Sequence, residues 1–325
     1  MKAKKLVNTK SMERDLWLEY RRKGLGGSDA PAISGLSRWS NPLSTYMDKI
    51  SLEPPTEAEN RFMYWGNVLE PIIAAEFAKR TGLKVRVCNY ILQHPEHPWM
   101  LANIDRDVLD DPIYGKVGLE CKSASQYKAK EWADGAIPDE YILQCAHYMM
   151  VTDSPRWYLA VLIGGNDFQW RIIERDMDLE RDLFKIESEF WADVIARNPP
   201  PIDGSPASDE ILKTLYPQAL IETTLTLPET FLHFFSDLEN AKADEKAAEK
   251  RKKDAENAIK AEMGDFLTAS CGEYQSTWSN VNTYAFDMDA FKEEQPELRE
   301  GYMTNRASRR FSTKKLKPKK EKEAA

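Results

Sequence analysis

No stretch of this 325-residue chain is apolar for long enough to cross a bilayer, and its basic start, Met1-Lys2-Ala3-Lys4-Lys5, is not followed by the apolar run of a leader. Neither secretion nor membrane insertion is expected. Cysteine is scarce: Cys88, Cys121, Cys145 and Cys271 are scattered without a C-x-x-C pair. That argues against a zinc site or a disulfide framework and for a reducing compartment, the cytoplasm. Of the four histidines, His94 and His97 lie close together, but Pro95 and Pro98 break any helix that would align them, and the loop is read as structural. A positive balance is missing too, because the formal net charge is -8. The sum conceals segregation. Arg306, Arg309, Arg310, Lys314, Lys315, Lys317, Lys319 and Lys320 crowd one end with no acidic residue among them. An acidic exterior with basic groups confined to a channel and a tail suits a protein that handles nucleic acid without adhering to it everywhere.

What is present centres on Gly115-Lys116-Val117-Gly118-Leu119-Glu120-Cys121-Lys122-Ser123 and the Ala102-Asn103-Ile104-Asp105 upstream of it. Side chains alternate along a strand, so Glu120 and Lys122 share one face while Leu119 and Cys121 take the other. Residues 99–108 form a second strand candidate, and Asp111-Pro112-Ile113-Tyr114 between the two is turn chemistry. With that turn, an antiparallel hairpin places Asp105 opposite Glu120. Facing carboxylates repel, and a hard divalent cation bound through oxygen relieves the repulsion. Mg²⁺ is the natural candidate, since it uses one or two carboxylates and completes its shell with water and phosphate oxygens. An exposed hairpin with ordinary surface charges accounts for the same residues.

The remaining elements are read in chain order. A helix is predicted over residues 11–22, with Leu16, Trp17 and Tyr20 on its buried face. Gly24 to Pro31 reads as a helix start, whose free N–H groups make a ready site for a phosphate, with a simple cap by Ser28 as the lesser alternative. Asn41-Pro42 opens a helix to about Ile50, and Pro54-Pro55 ends that segment. A helix over residues 57–80 carries Phe62, Trp65, Leu69, Ile73 and Phe77 on a core face, with Glu70 beside the stripe. A strand follows at residues 84–92, and a short helix at residues 127–132. Pro138 then begins a helix that aligns Tyr141, Gln144 and Tyr148 on one face. Strands at residues 156–163 and 168–174 are joined by Gly164-Gly165-Asn166-Asp167, and a helix over residues 179–197 ends at a proline run. The layout is a mixed central sheet flanked by helices. Beyond it, the expected order is a linker (201–227), a long charged helix (228–268), a small α+β module (269–312) with a strand pair at residues 273–286 and a helix capped by Asp287, and a basic tail (313–325). With 42% hydrophobic and 30% charged residues, one sizeable core and a smaller module are within reach.

Asp105 followed by Glu120-Cys121-Lys122 resembles the PD-(D/E)XK nuclease signature, in the form seen in lambda-type exonucleases and YqaJ-like viral recombinases. Four further stretches fit in order: Trp17 to Arg21 leading to Gly26-Gly27-Ser28-Asp29-Ala30; Trp65 to Glu70; Tyr141 to Gln144 leading to Tyr148-Met149; and Ile172 to Asp176. The resemblance spans residues 12–200 and implies an α/β restriction-endonuclease-like fold. It implies metal ligation by Glu70, Asp105, Glu120 and the Cys121 carbonyl, with one or two Mg²⁺ ions and Mn²⁺ as a substitute. Lys122 and Gln144 take catalytic roles. Arg21, or its neighbour Arg22, would hold a 5′-terminal phosphate with Ser28, and Tyr141 would face the DNA. The implied activity is 5′-to-3′ digestion of double-stranded DNA ends, by a closed ring of three or four copies acting with a single-strand annealing protein, in the host cytoplasm if phage-encoded. A site-specific or repair endonuclease would keep the same triad without a 5′-phosphate pocket. A non-catalytic DNA-binding or assembly module would use only the basic tail and the charged helix.

Overall fold

The computed structural model describes residues 2–51, 61–220, 223–304 and 308–315. Two compact units divide the chain, Met1–Tyr216 and Pro217–Ala325. Pro54, Pro55, Arg306, Lys317, Lys319 and Lys320, singled out in the sequence, lie outside the described residues.

The first unit begins with β1 (Lys4–Asn8), α1 (Arg14–Arg22), α2 (Asp29–Ile33), α3 (Pro42–Ile50) and α4 (Arg61–Thr81). It continues through β2 (Val85–Val87), β3 (Tyr90–Gln93), β4 (Leu101–Ala102), β5 (Arg106–Asp111) and β6 (Gly115–Ala124). A 3-10 segment (Gln126–Gly135) leads to α5 (Asp139–Thr152), β7 (Arg156–Ile163), β8 (Asp167–Glu174), α6 (Met177–Ala196) and α7 (Pro206–Leu215). The main sheet has the order β2-β5-β6-β7-β8, antiparallel except for the parallel β6/β7 pair. The expected mixed sheet flanked by helices is the architecture observed. A second sheet, β1-β3-β4, carries the N-terminal strand that the sequence reading did not anticipate.

Period-two alternation builds the core. Trp157, Leu159, Val161 and Ile163 of β7 pack on the face that holds Leu143, Ala146 and Met149 of α5. Tyr158 and Ala160 face Ile73, Ala74 and Phe77 of α4. A strand buried on both faces is central to a sheet, and each fully buried large apolar side chain contributes about 1.5–3 kcal/mol. Leu119 and Cys121 lie on the α4 side, which turns Glu120 and Lys122 towards α5. Gly118 is required by the same packing, because a Cβ there would lie 2.1 Å from the Trp157 ring. Gly118→Ala is expected to destabilise the unit by about 1–3 kcal/mol, read as a lower urea midpoint. An unchanged midpoint would mean that the indole can move aside.

Several expectations are corrected. The strand predicted at residues 99–108 is broken into β4 and β5 at Asn103 to Asp105, and the strand at residues 84–92 into β2 and β3, which belong to different sheets. Leu16 is exposed and α1 buries no residue fully, because this short nine-residue helix rests on the surface and only partly covers Trp17 and Tyr20. Phe62 and Trp65 are also exposed, since only the C-terminal half of α4 lies over the sheet. The segment expected as a linker contains α7, tied to the first unit by Asn41 Nδ2, which donates to Asp203, Ser205 and Ser208 side chains at 3.0, 2.6 and 2.9 Å.

In the second unit, α8 (Leu232–Met263) is solvated along nearly its whole length, as its Ala/Lys/Glu/Asp composition predicts. The strand pair lies at β9 (Thr268–Cys271) and β10 (Tyr274–Thr277), earlier than expected, because Gly272 at φ +59° makes the turn. Then come α9 (Met288–Glu294), capped by Asp287 as predicted, and α10 (Pro296–Gly301). Lys242 donates to Thr313 Oγ1 at 2.9 Å within this unit.

Candidate active site

The β5/β6 hairpin pairs Arg106 with Leu119, Asp107 with Gly118 and Val108 with Val117. One step further along the same register brings Asp105, just before β5, opposite Glu120, as the turn chemistry predicts. The Asp105 Oδ2 accepts a hydrogen bond from the Cys121 backbone N–H at 2.8 Å, which holds the carboxylate against β6. Glu120 is buried, and one oxygen, Oε1, receives both the Lys122 ammonium at 2.7 Å and the Gln144 Nε2 at 2.8 Å. Its other oxygen, Oε2, is buried without a hydrogen-bond partner among the described residues. Gln144 also donates to the Tyr148 hydroxyl at 3.0 Å, one helical turn away on α5.

Charge is crowded here. Burial, and then the negative charges of Glu120 and Glu70, push the Asp105 carboxyl well above its ordinary range, while Lys122 and the Cys121 N–H pull it back. For Lys122, burial favours the neutral amine, but the Glu120 and Asp105 charges outweigh it and raise the pKa. Tyr141 lies with its ring 5.3 Å from the Lys122 ammonium and stacks on Trp132 at 5.4 Å. Burial pushes its hydroxyl up to about 12. The tyrosine therefore lines the site while also packing in the core.

Glu70 reaches the same neighbourhood but is engaged by Arg106, whose Nη1 donates to Glu70 Oε1 and, at 2.7 Å, to the Asp105 carbonyl. Arg106 is buried and was not anticipated, although its position directly after Asp105 was a usable signal. Among the described residues, no three His, Cys, Asp or Glu side chains form a ready cation cage. Two carboxylates are nonetheless enough for Mg²⁺. The unpartnered Glu120 oxygen and the mutual repulsion of Asp105 and Glu120 are the features that a hard cation would relieve, so the donor set fits that ion.

The second group of predicted residues lies alongside. Arg21 Nη2 donates to Ser28 Oγ at 2.6 Å, and the Arg21 guanidinium lies 4.7 Å from the Trp17 ring. Arg22 instead pairs with Asp48 at 3.1 Å. Ser28 makes no side-chain cap, and α2 is only five residues long, so any anion grip here comes from side chains and not from a helix terminus. Arg21 lines a cavity of about 300 Å³ together with Trp39, Ser40, Ser44 and Thr45. The glycine loop adjoins the carboxylates: a Cβ at Gly27 would lie 2.5 Å from the Tyr148 ring and 3.1 Å from Gln144 Cγ. Trp17 Nε1 donates to Asn103 Oδ1 at 3.3 Å, joining α1 to the segment before Asp105. Arg21 and Ser28 thus share one neighbourhood with Gln144 and the carboxylates, although they are far apart in sequence. His94 and His97 stay structural: His94 Nδ1 accepts from the Glu96 and His97 backbone N–H groups.

No helix among the described residues is long and apolar enough to cross a membrane. Residues 16–155 match the YqaJ-like viral recombinase domain. Protein YqaJ of Bacillus subtilis (strain 168) is 38% identical over 318 residues, which cover 97% of this chain and 98% of that protein. Among solved structures, an alkaline exonuclease from Laribacter hongkongensis superposes with a TM-score of 0.45 at 20% identity, covering 56% of this chain and 93% of its own. A phage-related exonuclease from Haemophilus somnus 129PT gives a TM-score of 0.37 at 14% identity, covering 54% and 96%. With the matched domain spanning both groups of site residues and the identity to YqaJ extending over almost the full length, the chain belongs to the YqaJ-like viral recombinase family.

Proposed function

We propose that the chain is a Mg²⁺-dependent deoxyribonuclease that digests linear double-stranded DNA from its 5′ ends, releasing 5′-mononucleotides and leaving 3′ overhangs. The observation that carries this reading is the convergence of Lys122 and Gln144 on one oxygen of Glu120, opposite Asp105, while the other buried oxygen has no hydrogen-bond partner among the described residues. Asp105, Glu120, the Cys121 carbonyl and Glu70 are the oxygens that would hold one or two ions. When bound, Mg²⁺ supplies Lewis-acid polarisation of the scissile phosphate and stabilisation of the departing oxygen.

The rest is the work of the chain's own groups. Lys122 orients the attacking water and offsets charge developing on the phosphate. Gln144, held by Tyr148, keeps that water and the phosphate in line. Arg21 and Ser28 grip the 5′-phosphate, a charge-assisted contact that fixes the strand end one step from the carboxylates. Arg21 rather than Arg22 takes this role, because Arg22 is directed to Asp48. Family membership supports two further parts of the proposal: a closed ring of three or four copies around the duplex, and a single-strand annealing protein that receives the overhang.

The test is digestion of a 5′-phosphorylated linear duplex beside a closed circle of the same sequence, with Mg²⁺ or with EDTA. Mononucleotides are expected from the linear DNA alone, and EDTA should stop their release. Cutting of the circle would make the protein an endonuclease. Binding of either DNA without cleavage would leave a DNA-binding module.

A further inference from the structure

Lys49 on α3 takes no part in the carboxylate cluster, yet its side chain is only 1% exposed. A lysine is rarely that deep without a partner. Its ammonium pairs with Asp29 Oδ2 at 2.7 Å and donates to the Arg21 backbone carbonyl at 3.4 Å. Asp29 Oδ2 in turn accepts the Gly26 backbone N–H at 2.8 Å. One buried cation therefore ties together the last turn of α1, the glycine loop and α3. These segments carry Arg21, Ser28 and the Ser44 and Thr45 side of the cavity. Burial disfavours the Asp29 carboxylate, but Lys49 and then Arg21 outweigh that and hold its pKa below the ordinary value. Replacing such a pair by apolar packing is often neutral for stability, so its consequence here is geometric: it restrains the backbone at both ends of the Arg21–Ser28 contact.

We infer that Lys49 is a positioning residue for the terminal phosphate, setting the separation of Arg21 and Ser28 through Asp29 and the Arg21 carbonyl. The inference rests on reading Arg21 and Ser28 as the 5′-phosphate grip. A grip that reads a phosphate by two side chains from different segments loses affinity steeply when either shifts, and a displacement of about 1 Å can cost up to about 10²-fold.

The experiment uses the full chain and two linear duplexes that differ only in a 5′-phosphate or a 5′-hydroxyl. For each protein, kcat and KM are measured on both, and the phosphate preference is the ratio of the two kcat/KM values. Wild type is expected to prefer the phosphorylated end. Lys49→Met is expected to reduce that preference by about tenfold, chiefly through KM, with Lys49→Arg recovering most of it. Asp29→Asn, which changes little in shape, should reproduce the loss and decides the matter alone if Lys49→Met does not fold. Equal losses on both ends, leaving the preference intact, would make Lys49 a stabilising residue only and overturn the inference. A wild-type protein indifferent to the phosphate would overturn the 5′-phosphate reading itself, and that outcome is visible without any variant.

Discussion

Lys122→Ala is expected to lower Mg²⁺-dependent release of nucleotides by about 10²- to 10³-fold while leaving the fold and DNA binding in place. The magnitude is that of removing one preorganised group which stabilises transition-state charge. Lys122 is suited to that part because its ammonium is held 2.7 Å from Glu120 and is 23% exposed, so it touches the carboxylate while remaining open to solvent. Stability should change little, since the ammonium is partly solvated and Glu120 Oε1 keeps Gln144 as a donor. Cleavage rates under single-turnover conditions, beside the thermal midpoint and an affinity for duplex DNA in EDTA, separate these effects. A variant within tenfold of wild type would remove Lys122 from the chemistry, and a variant that fails to bind DNA would make it a binding residue.

The largest effect on stability is expected elsewhere, at Glu187. His147 on α5 and Glu187 on α6 are both fully buried and lie 2.7 Å apart, and the other His147 nitrogen donates to the Leu101 carbonyl at 2.8 Å. The pair ties α5, α6 and β4 together beneath the glycine loop. Burial alone would lower the His147 pKa, but the Glu187 charge and the hydrogen bonds that the imidazole donates to Glu187 and to the Leu101 carbonyl reverse this and raise it. Glu187→Ala leaves the imidazole buried without its counter-charge and is expected to cost about 3–5 kcal/mol. The sign with pH follows from linkage. A folded-state pKa above the unfolded one contributes stability that is complete below about 6.5 and is lost as pH rises through the raised folded value. Urea unfolding of wild type and Glu187→Ala at pH 6 and pH 9 should therefore show the larger gap at pH 6. A gap that is equal at both values would mean that the pair contributes through packing and not through charge.

Much of the site was legible because it is local. The turn at Asp111 to Tyr114 and the period-two alternation of β6 were enough to place Asp105 opposite Glu120 and Lys122 on the same face as Glu120. An offset of four on α5 aligned Gln144 with Tyr148. Asn41, Asp287 and the Gly164-Gly165 turn signalled element boundaries for the same reason: a cap or a turn is settled by two to four residues of backbone.

Other features carry no local signal. Which half of α4 rests on the sheet, and hence the exposure of Phe62 and Trp65, depends on where the sheet ends and not on the apolar spacing that the whole helix shares. β1 pairs with β3 across more than 80 residues, and Lys4 to Asn8 has no alternation that would mark a strand. Arg106 with Glu70, Lys49 with Asp29 and His147 with Glu187 join charges from different elements, 20 to 40 residues apart. By itself the sequence determined most of the helices and the hairpin register, because dihedral preference, capping and side-chain periodicity act over a few residues. Only the tertiary structure decided which charges are buried, which partners they find and which arginine faces Ser28, because desolvation and ion pairing depend on what the rest of the chain packs around each group.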